Sequence, residues 1–287
     1  MQGDANLSGD SMALNYDILS FFQFYVTSIV SELNHTDGSL PDTVPFVRYG
    51  GRPGDVSWTA ALVNLISVCW NILDDTTLAH RYLKEAALQL KNIQAQAKNG
   101  LNQMHTPYGD WCPPPVKMGG GQGPKPSSPY TSAFSYLNMI RQVGALAKLV
   151  GNNDVSKECA ALDATVTREF NAVFGSNTSS LSPSASSAAG CYDQCSTQTG
   201  LVLALALNVG SETTMKQTQD LLIADVATTH QNHYTSKKKC WIVHETLCVC
   251  VDAHRFFSLL PFSAIKTIEL DAHVQLVLLG RNFYTMH

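Results

Sequence analysis

The sequence predicts an all-α protein whose helices pair into an α/α toroid. Apolar residues recur at helical spacing over most of residues 10–229, and no segment shows a convincing strand pattern. The predicted helices come in pairs separated by short turn sequences, and longer loops that carry acidic and aromatic residues join the pairs. In a toroid built this way, the loops on one side of the ring converge on a central pocket.

The limits of each predicted helix follow from this periodicity and from clusters of turn-forming residues. Ser57 is expected to be the N-cap of the second helix. In chain order, the predicted elements are a helix over 10–33, a loop over 38–56, a hairpin of helices over 57–73 and 77–98, an irregular segment over 99–129, helices over 130–150 and 155–174, a Ser/Ala/Gly-rich connector over 175–190, and helices over 196–207 and 211–229.

Composition excludes several classes of protein. Hydrophobic residues make up 45% of the 287 residues, so the chain can bury a core and is not disordered along its whole length. Charged residues make up only 15% and the formal net charge is −4, so no basic surface for nucleic acid is predicted. The apolar stretch over 18–30 is interrupted by polar residues and is too short to span a bilayer, and it lacks the features of a signal peptide.

The compartment stays open between cytoplasmic and secreted. Eight cysteines and three Asn-x-Ser/Thr sequons, at Asn6, Asn34 and Asn177, suit a secreted protein, although such sequons arise often in a chain rich in serine and threonine. Cys191 and Cys195 are spaced closely enough for a small disulfide, but two unpaired thiols are the favoured interpretation.

Three loop segments combine a carboxylate with an aromatic residue or a glycine turn. They are Gly3-Asp4, the run from Gly54 to Trp58, and the run from Tyr108 to Trp111. Carboxylates accept hydrogen bonds from sugar hydroxyls, and aromatic faces cover the apolar C–H surface of a pyranose ring. Ordinary turn and N-cap chemistry explains the same residues, so sugar binding and a purely structural role both stay open.

The order of these segments resembles the catalytic domain of the α-L-rhamnosidases. The resemblance rests on Gly3-Asp4-Ala5 before a long helix, on the runs over 37–46 and 54–61, and on Tyr108-Gly109-Asp110-Trp111. The helix pair over 136–174 and the segment that begins Gln198-Thr199-Gly200 are similar to later parts of the family. The resemblance implies a partial (α/α)6 six-hairpin domain over residues 1–235. After Thr235 the hydrophobic pattern is neither cleanly helical nor alternating, so residues 236–287 are interpreted as a separate hydrophobic tail of doubtful structure.

The resemblance also implies a function and a set of site residues. The family hydrolyses terminal α-L-rhamnosides with inversion and without a cofactor or metal, so a rhamnose-containing carbohydrate is the implied partner. Asp4 would bind rhamnose hydroxyls, unless it is merely a solvated terminal residue. Trp58 and Trp111 would line the sugar subsite, and Asp110 would support the loop that carries Trp111.

Inverting hydrolysis needs a general acid and a general base on opposite sides of the sugar. The family's acid belongs to a motif that would precede Met1, and the chain departs from the family pattern after Thr235, before the base. We therefore expect this chain to have no catalytic residues and to be inactive. A carbohydrate-binding pseudoenzyme, a six-hairpin hydrolase for another sugar and a structural helical array are the alternatives.

The tail over 236–287 offers no clear replacement for the missing pair. His244, Glu245 and Glu269 are its candidate acids or bases, and solvated side chains are their favoured interpretation. A run of possible zinc ligands is too compact for the usual paired spacing of a structural zinc site, so no metal is expected. It consists of Cys240, His244, Cys248 and Cys250.

Overall fold

A computed structural model describes residues 2–47, 49–110, 113, 125–175 and 197–225. In these ranges the chain forms α-helices and two short 3₁₀ turns, and none of the described residues forms a β-strand, which confirms the all-α prediction. The helices are α1 (Gln2–Asn15), α2 (Leu19–Ser31), α3 (Val56–Thr59), α4 (Ala61–Asn71), α5 (Thr77–Gln96), α6 (Ser128–Leu149), α7 (Asn153–Phe174), α8 (Gln198–Leu207) and α9 (Glu212–Ala224), and the 3₁₀ turns are Ala97–Asn99 and Leu101–Gln103.

The described helices include a row of inner helices and three helix hairpins. The inner helices α1, α4, α6 and α8 each contact the next one in the row. Helices α5, α7 and α9 are the hairpin partners of α4, α6 and α8, and α2 packs on α4 and α5. Nine of the eleven residues of α4 are buried, whereas the 22-residue helix α7 buries only four side chains. This difference places α4 inside the molecule and α7 on its outer surface.

The single helix predicted over 10–33 is wrong, because two helices occupy this region. Helix α1 begins at Gln2 and ends at Asn15, and α2 begins at Leu19. The buried residues of α1 are Gln2, Gly3, Gly9 and Ala13, none of which is a large apolar residue. Hydrophobic periodicity cannot detect a helix whose buried face consists of small and polar side chains.

The predicted N-cap of the second helix is also wrong by two residues. Asp55 is the N-cap of α3, and its side chain accepts a hydrogen bond from the backbone N–H of Ser57 at 2.8 Å. Ala60 separates α3 from α4, so the predicted helix over 57–73 is divided near its start.

The later helices lie close to their predicted limits. Helices α5, α6 and α7 differ from the predictions by no more than two residues at either end, and α8 begins two residues later than expected. The segment over 99–129 is less irregular than predicted, because Leu101–Gln103 forms a 3₁₀ turn and α6 already begins at Ser128.

An aromatic cluster joins three helices of the last two hairpins. The ring of Tyr130 on α6 lies 5.4 Å from that of Phe170 and 5.3 Å from that of Phe174, both on α7. Tyr130 and Phe170 are fully buried, and the Tyr130 hydroxyl donates to the carbonyl of Gly200 on α8 at 2.9 Å. The cluster therefore fixes α8 against the α6–α7 hairpin.

Arg141 provides a second connection between the same helices. Its guanidinium forms an ion pair with Asp163 on α7 at 2.9 Å and donates to the carbonyl of Leu207 at the end of α8.

Within the described part of the chain, no helix combines the length and the apolar content needed to cross a membrane.

Candidate functional site

The inner helices begin at the same end of the molecule, which we call the inner-helix end. Contacts connect the start of each helix to the next. Gly3 of α1 faces the indole of Trp58, Trp58 stacks on Tyr108, and Asp110 accepts a hydrogen bond from the hydroxyl of Thr199 on α8. The loop over 104–110 also reaches the start of α6, where the Thr106 hydroxyl donates to the Ser128 carbonyl. Residues far apart in the sequence therefore meet at the inner-helix end.

Two aromatic rings form the apolar part of this site. The rings of Trp58 and Tyr108 are stacked with their centroids 4.3 Å apart and an interplanar angle of 26°. Both side chains are half-buried. The indole lies so close to α1 that a Cβ atom at position 3 would come within 2.7 Å of the ring, so only glycine fits there.

Two buried carboxylates lie beneath the aromatic pair. Asp42 and Asp55 are both fully buried. One oxygen of Asp42 accepts from the backbone N–H of Asp55 at 2.7 Å, and the other accepts from the backbone N–H of Gly51 at 2.5 Å. Tyr108 donates its hydroxyl to the second of these oxygens at 3.0 Å. Asp55 in turn accepts from the backbone N–H and the hydroxyl of Ser57.

This environment changes the acidity of Tyr108. Burial raises the pKa of the Tyr108 hydroxyl, and its hydrogen bond to the Asp42 carboxylate raises the pKa further, to about 12. The hydroxyl is therefore a neutral hydrogen-bond donor at physiological pH and cannot act as a base.

Three of the four residues predicted to bind sugar lie within the described residues. Asp4 is exposed in the first turn of α1, directly after Gly3. Trp58 is half-buried at the start of the α3–α4 unit, and Asp110 is half-buried in the loop that contacts α8. Trp111 lies outside the described residues. Direct contacts connect this part of the structure. Gly3 lies against Trp58, Trp58 stacks on Tyr108, and Thr199 donates to Asp110.

Sequence reasoning named Asp42 and Tyr108 only as parts of longer motifs and gave neither a role. Asp42 lies between Pro41 and Thr43 in a chain with few charged residues. A carboxylate in such a sequence is the feature that could have drawn attention to this position. Its three hydrogen-bond donors lie 9, 13 and 66 residues away, at separations that no sequence periodicity reports.

The Asn6 sequon acquires a structural explanation. The Asn6 side chain donates to the carbonyl of Ser57 at 2.8 Å, so the side-chain amide of this sequon takes part in a contact between α1 and α3. Within the described ranges, no group of three or more His, Cys, Asp or Glu side chains is arranged to hold a metal ion.

Several predictions concern positions beyond the described residues. These are Asn177, the Cys191 and Cys195 pair, the candidate zinc ligands Cys240, His244, Cys248 and Cys250, the candidate acids or bases Glu245 and Glu269, and the whole tail over 236–287.

Gly3→Ala is expected to separate the indole of Trp58 from Tyr108. The new methyl group would lie 2.7 Å from the indole, and we expect the overpacking to lower the free energy of unfolding by about 1 to 3 kcal/mol. Near-ultraviolet circular dichroism would report the loss of the aromatic stack, and thermal unfolding would report the stability.

Gly9→Ala is the matched control for this substitution. It lies on the same helix, and its new methyl group would lie 2.9 Å from the end of the Leu65 side chain, which can rotate away, and at an ordinary contact distance of 3.9 Å from Val68. We expect Gly9→Ala to keep the aromatic spectrum of the unmodified chain. An unchanged spectrum in Gly3→Ala as well would contradict the close packing of Trp58 on α1.

A row of inner helices with outer hairpin partners, and with acidic and aromatic loop residues at one end, is the arrangement of part of a six-hairpin glycosidase domain. The family described as the bacterial alpha-L-rhamnosidase 6 hairpin glycosidase domain matches residues 1–236. The chain belongs to this family, which confirms the predicted all-α toroid and the predicted family.

Solved structures of α-L-rhamnosidases share this fold. The α-L-rhamnosidase from Dictyoglumus thermophilum is 24% identical with a TM-score of 0.66 over 80% of this chain. The Streptomyces avermitilis α-L-rhamnosidase complexed with L-rhamnose is 17% identical with a TM-score of 0.64 over 81% of this chain. The native enzyme from Aspergillus terreus is 16% identical with a TM-score of 0.68 over 89% of this chain.

This chain is much shorter than those enzymes. Its matched part spans 24%, 20% and 28% of the three chains, in the same order. No curated protein matches the sequence.

Proposed function

We propose that the inner-helix end binds a terminal α-L-rhamnosyl group, as the sugar-binding part of an inverting α-L-rhamnosidase site. The observation that carries this proposal is the stacked pair of Trp58 and Tyr108, which lies between the acidic start of α1 and the loop that bears Asp110. Membership in the rhamnosidase family supports the choice of sugar, and so does the complex of the Streptomyces avermitilis enzyme with L-rhamnose.

The chemistry of the ligand suits these side chains. Rhamnose is a 6-deoxy sugar, so its ring carries a methyl group in addition to its C–H surfaces and hydroxyls. Aromatic faces cover such apolar surface, and carboxylates accept hydrogen bonds from hydroxyls. In the proposed arrangement the Trp58–Tyr108 pair contacts the apolar surface of the sugar, while Asp4 accepts from its hydroxyls. Asp110 supports the loop, and the family resemblance implies that Trp111 lines the same sugar subsite.

We further propose that the 287-residue chain by itself binds rhamnosides without hydrolysing them. An inverting glycosidase needs two carboxyl groups about 6.5–9.5 Å apart on opposite sides of the sugar. Asp42 and Asp55 are fully buried and their oxygens accept hydrogen bonds from neighbouring backbone and side-chain groups. Asp110 already accepts from Thr199. These three carboxylates therefore support the site and do not exchange protons with a substrate.

Calorimetric titration of the full chain with L-rhamnose tests the binding proposal. We expect saturable binding, and we expect Trp58→Ala to weaken it at least about tenfold, equivalent to about 1.4 kcal/mol, because the main aromatic face is lost. Trp70→Ala is the matched control, since Trp70 lies near the opposite end of α4 and should leave binding unchanged. Equal binding by both variants would contradict the assignment of the site.

Two additional measurements separate the alternatives. Release of nitrophenol from p-nitrophenyl α-L-rhamnoside by the pure chain would overturn the proposed lack of hydrolysis. Tighter binding of another monosaccharide, such as D-mannose or L-fucose, would indicate a six-hairpin domain for a different sugar. If none of these sugars binds, the proposed function is overturned.

A further inference from the structure

Asp42 is a buried carboxylate that the proposed sugar contacts do not use. It is fully buried, and it takes part in none of the ion pairs among the described residues. An ionised carboxylate without a cation is costly to bury unless hydrogen bonds replace its hydration. Three donors do so here: the backbone N–H groups of Gly51 and Asp55 and the hydroxyl of Tyr108.

These hydrogen bonds connect segments that are distant in the sequence. The backbone of Asp42 also accepts from the N–H of Gln2, the first residue of α1, at 3.2 Å and donates to the carbonyl of Gly51 at 3.0 Å. Through its side chain and backbone, Asp42 therefore contacts α1, the loop before α3, the N-cap of α3 and the loop that carries Tyr108.

The Tyr108 ring is held at both of its ends. Its backbone N–H donates to Asp55 at 3.4 Å, and its hydroxyl donates to Asp42 at 3.0 Å. The hydroxyl oxygen of a tyrosine lies on the axis of its Cβ–Cγ bond, so fixing the hydroxyl and the backbone fixes the position of the ring and the direction of that axis. In this position the ring stacks on Trp58, and this contact sets its rotation about the axis.

We propose that Asp42 is a positioning residue that orients Tyr108 against Trp58 and thereby sets the aromatic surface on which the sugar lies. This inference rests on the proposed function, because it assigns the surface to sugar binding. Asp42 does not contact the sugar itself, since its carboxylate is fully buried and both of its oxygens accept hydrogen bonds from the protein. It acts through the Tyr108 hydroxyl.

Asp42→Asn and Tyr108→Phe remove the two partners of this contact separately. Asparagine keeps the size of the side chain but loses the charge, and phenylalanine keeps the ring but loses the hydroxyl. We expect each variant to weaken binding of L-rhamnose about tenfold, and we expect the double variant to be no weaker than either single variant, because both remove the same contact. Asp37→Asn is the matched control, since Asp37 lies in the same loop and accepts from the backbone N–H of Ser39 instead of from Tyr108.

Alkaline titration of tyrosinate absorbance gives a readout that general destabilisation does not reproduce. The Asp42 carboxylate helps to hold the pKa of Tyr108 at about 12, so Asp42→Asn should lower the alkaline pKa of this residue toward the ordinary tyrosine value. The tyrosinate absorbance whose pKa shifts in Asp42→Asn belongs to Tyr108, so it should be absent from Tyr108→Phe. Asp37→Asn should leave the titration unchanged.

The outcomes distinguish this inference from the proposed function. Full-strength rhamnose binding by a folded Asp42→Asn or Tyr108→Phe variant would overturn the positioning role while the proposed function stands. No rhamnose binding by the unmodified chain would overturn the proposed function, and the titration would still show whether Asp42 holds Tyr108. An unchanged tyrosine titration in Asp42→Asn would overturn the inference in either case. If Asp42→Asn does not fold, Tyr108→Phe, which keeps Asp42, decides the question.

Discussion

Replacing Phe170 by alanine is expected to lower the free energy of unfolding by about 4 kcal/mol, the typical cost of removing a buried phenylalanine ring. Phe170 is fully buried, and its ring lies 5.4 Å from Tyr130 and 5.1 Å from Phe174. The cavity left behind would be lined by these two rings, which also hold α8 through Tyr130 and Gly200. Thermal unfolding should show a fall in Tm of roughly 8 to 16 °C for a chain of this size.

Val173→Ala is the control for this substitution because it lies on the same helix and the side chain is 39% exposed. It loses little buried surface, so we expect a change below about 1 kcal/mol. Similar unfolding temperatures for Phe170→Ala and Val173→Ala would show that the aromatic cluster does not hold the last two hairpins together.

Gly38→Ala is expected to destabilise the chain by about 3 kcal/mol. Gly38 has a φ of +78°, and a Cβ atom there would lie 2.3 Å from the backbone carbonyl oxygen of Leu88 on α5. The left-handed conformation alone costs alanine about 1 to 2 kcal/mol, and the contact with backbone requires the loop to move away from α5. Chemical denaturation would measure the total loss.

Gly151→Ala separates the two contributions. Gly151 has a nearly identical φ of +77°, and a Cβ atom there would meet no other atom within 4 Å. Its substitution should cost only the conformational part, about 1 to 2 kcal/mol. Equal losses in the two variants would show that the loop before Asp42 is not packed tightly on α5.

The helices that sequence analysis located well are those whose buried faces consist of large apolar side chains. Helix α7 buries Val166, Phe170 and Phe174 on one side and exposes polar residues on the other, so its periodicity is clear. Helix α1 packs Gly3 against Trp58 on α3 and Gly9 against Leu65 on α4, and the close approach that these glycines permit leaves no apolar pattern. The same close packing made α1 difficult to predict.

The candidate site was predictable only in part, for a related reason. Trp58 and Asp110 were found because an aromatic or acidic residue beside a glycine turn is a local pattern. The function of Asp42 depends on a tyrosine hydroxyl and two backbone N–H groups that folding brings to it. Such a role follows from tertiary structure, and no motif of neighbouring residues encodes it.

The shared direction of the inner helices also has an electrostatic consequence for the acidic site. The peptide dipoles of an α-helix sum to about half a positive charge at its N-terminus. Helices α1, α6 and α8 begin at the end where Asp4, Asp42, Asp55 and Asp110 lie. The positive ends of their peptide dipoles therefore point toward the part of the structure that carries these four carboxylates.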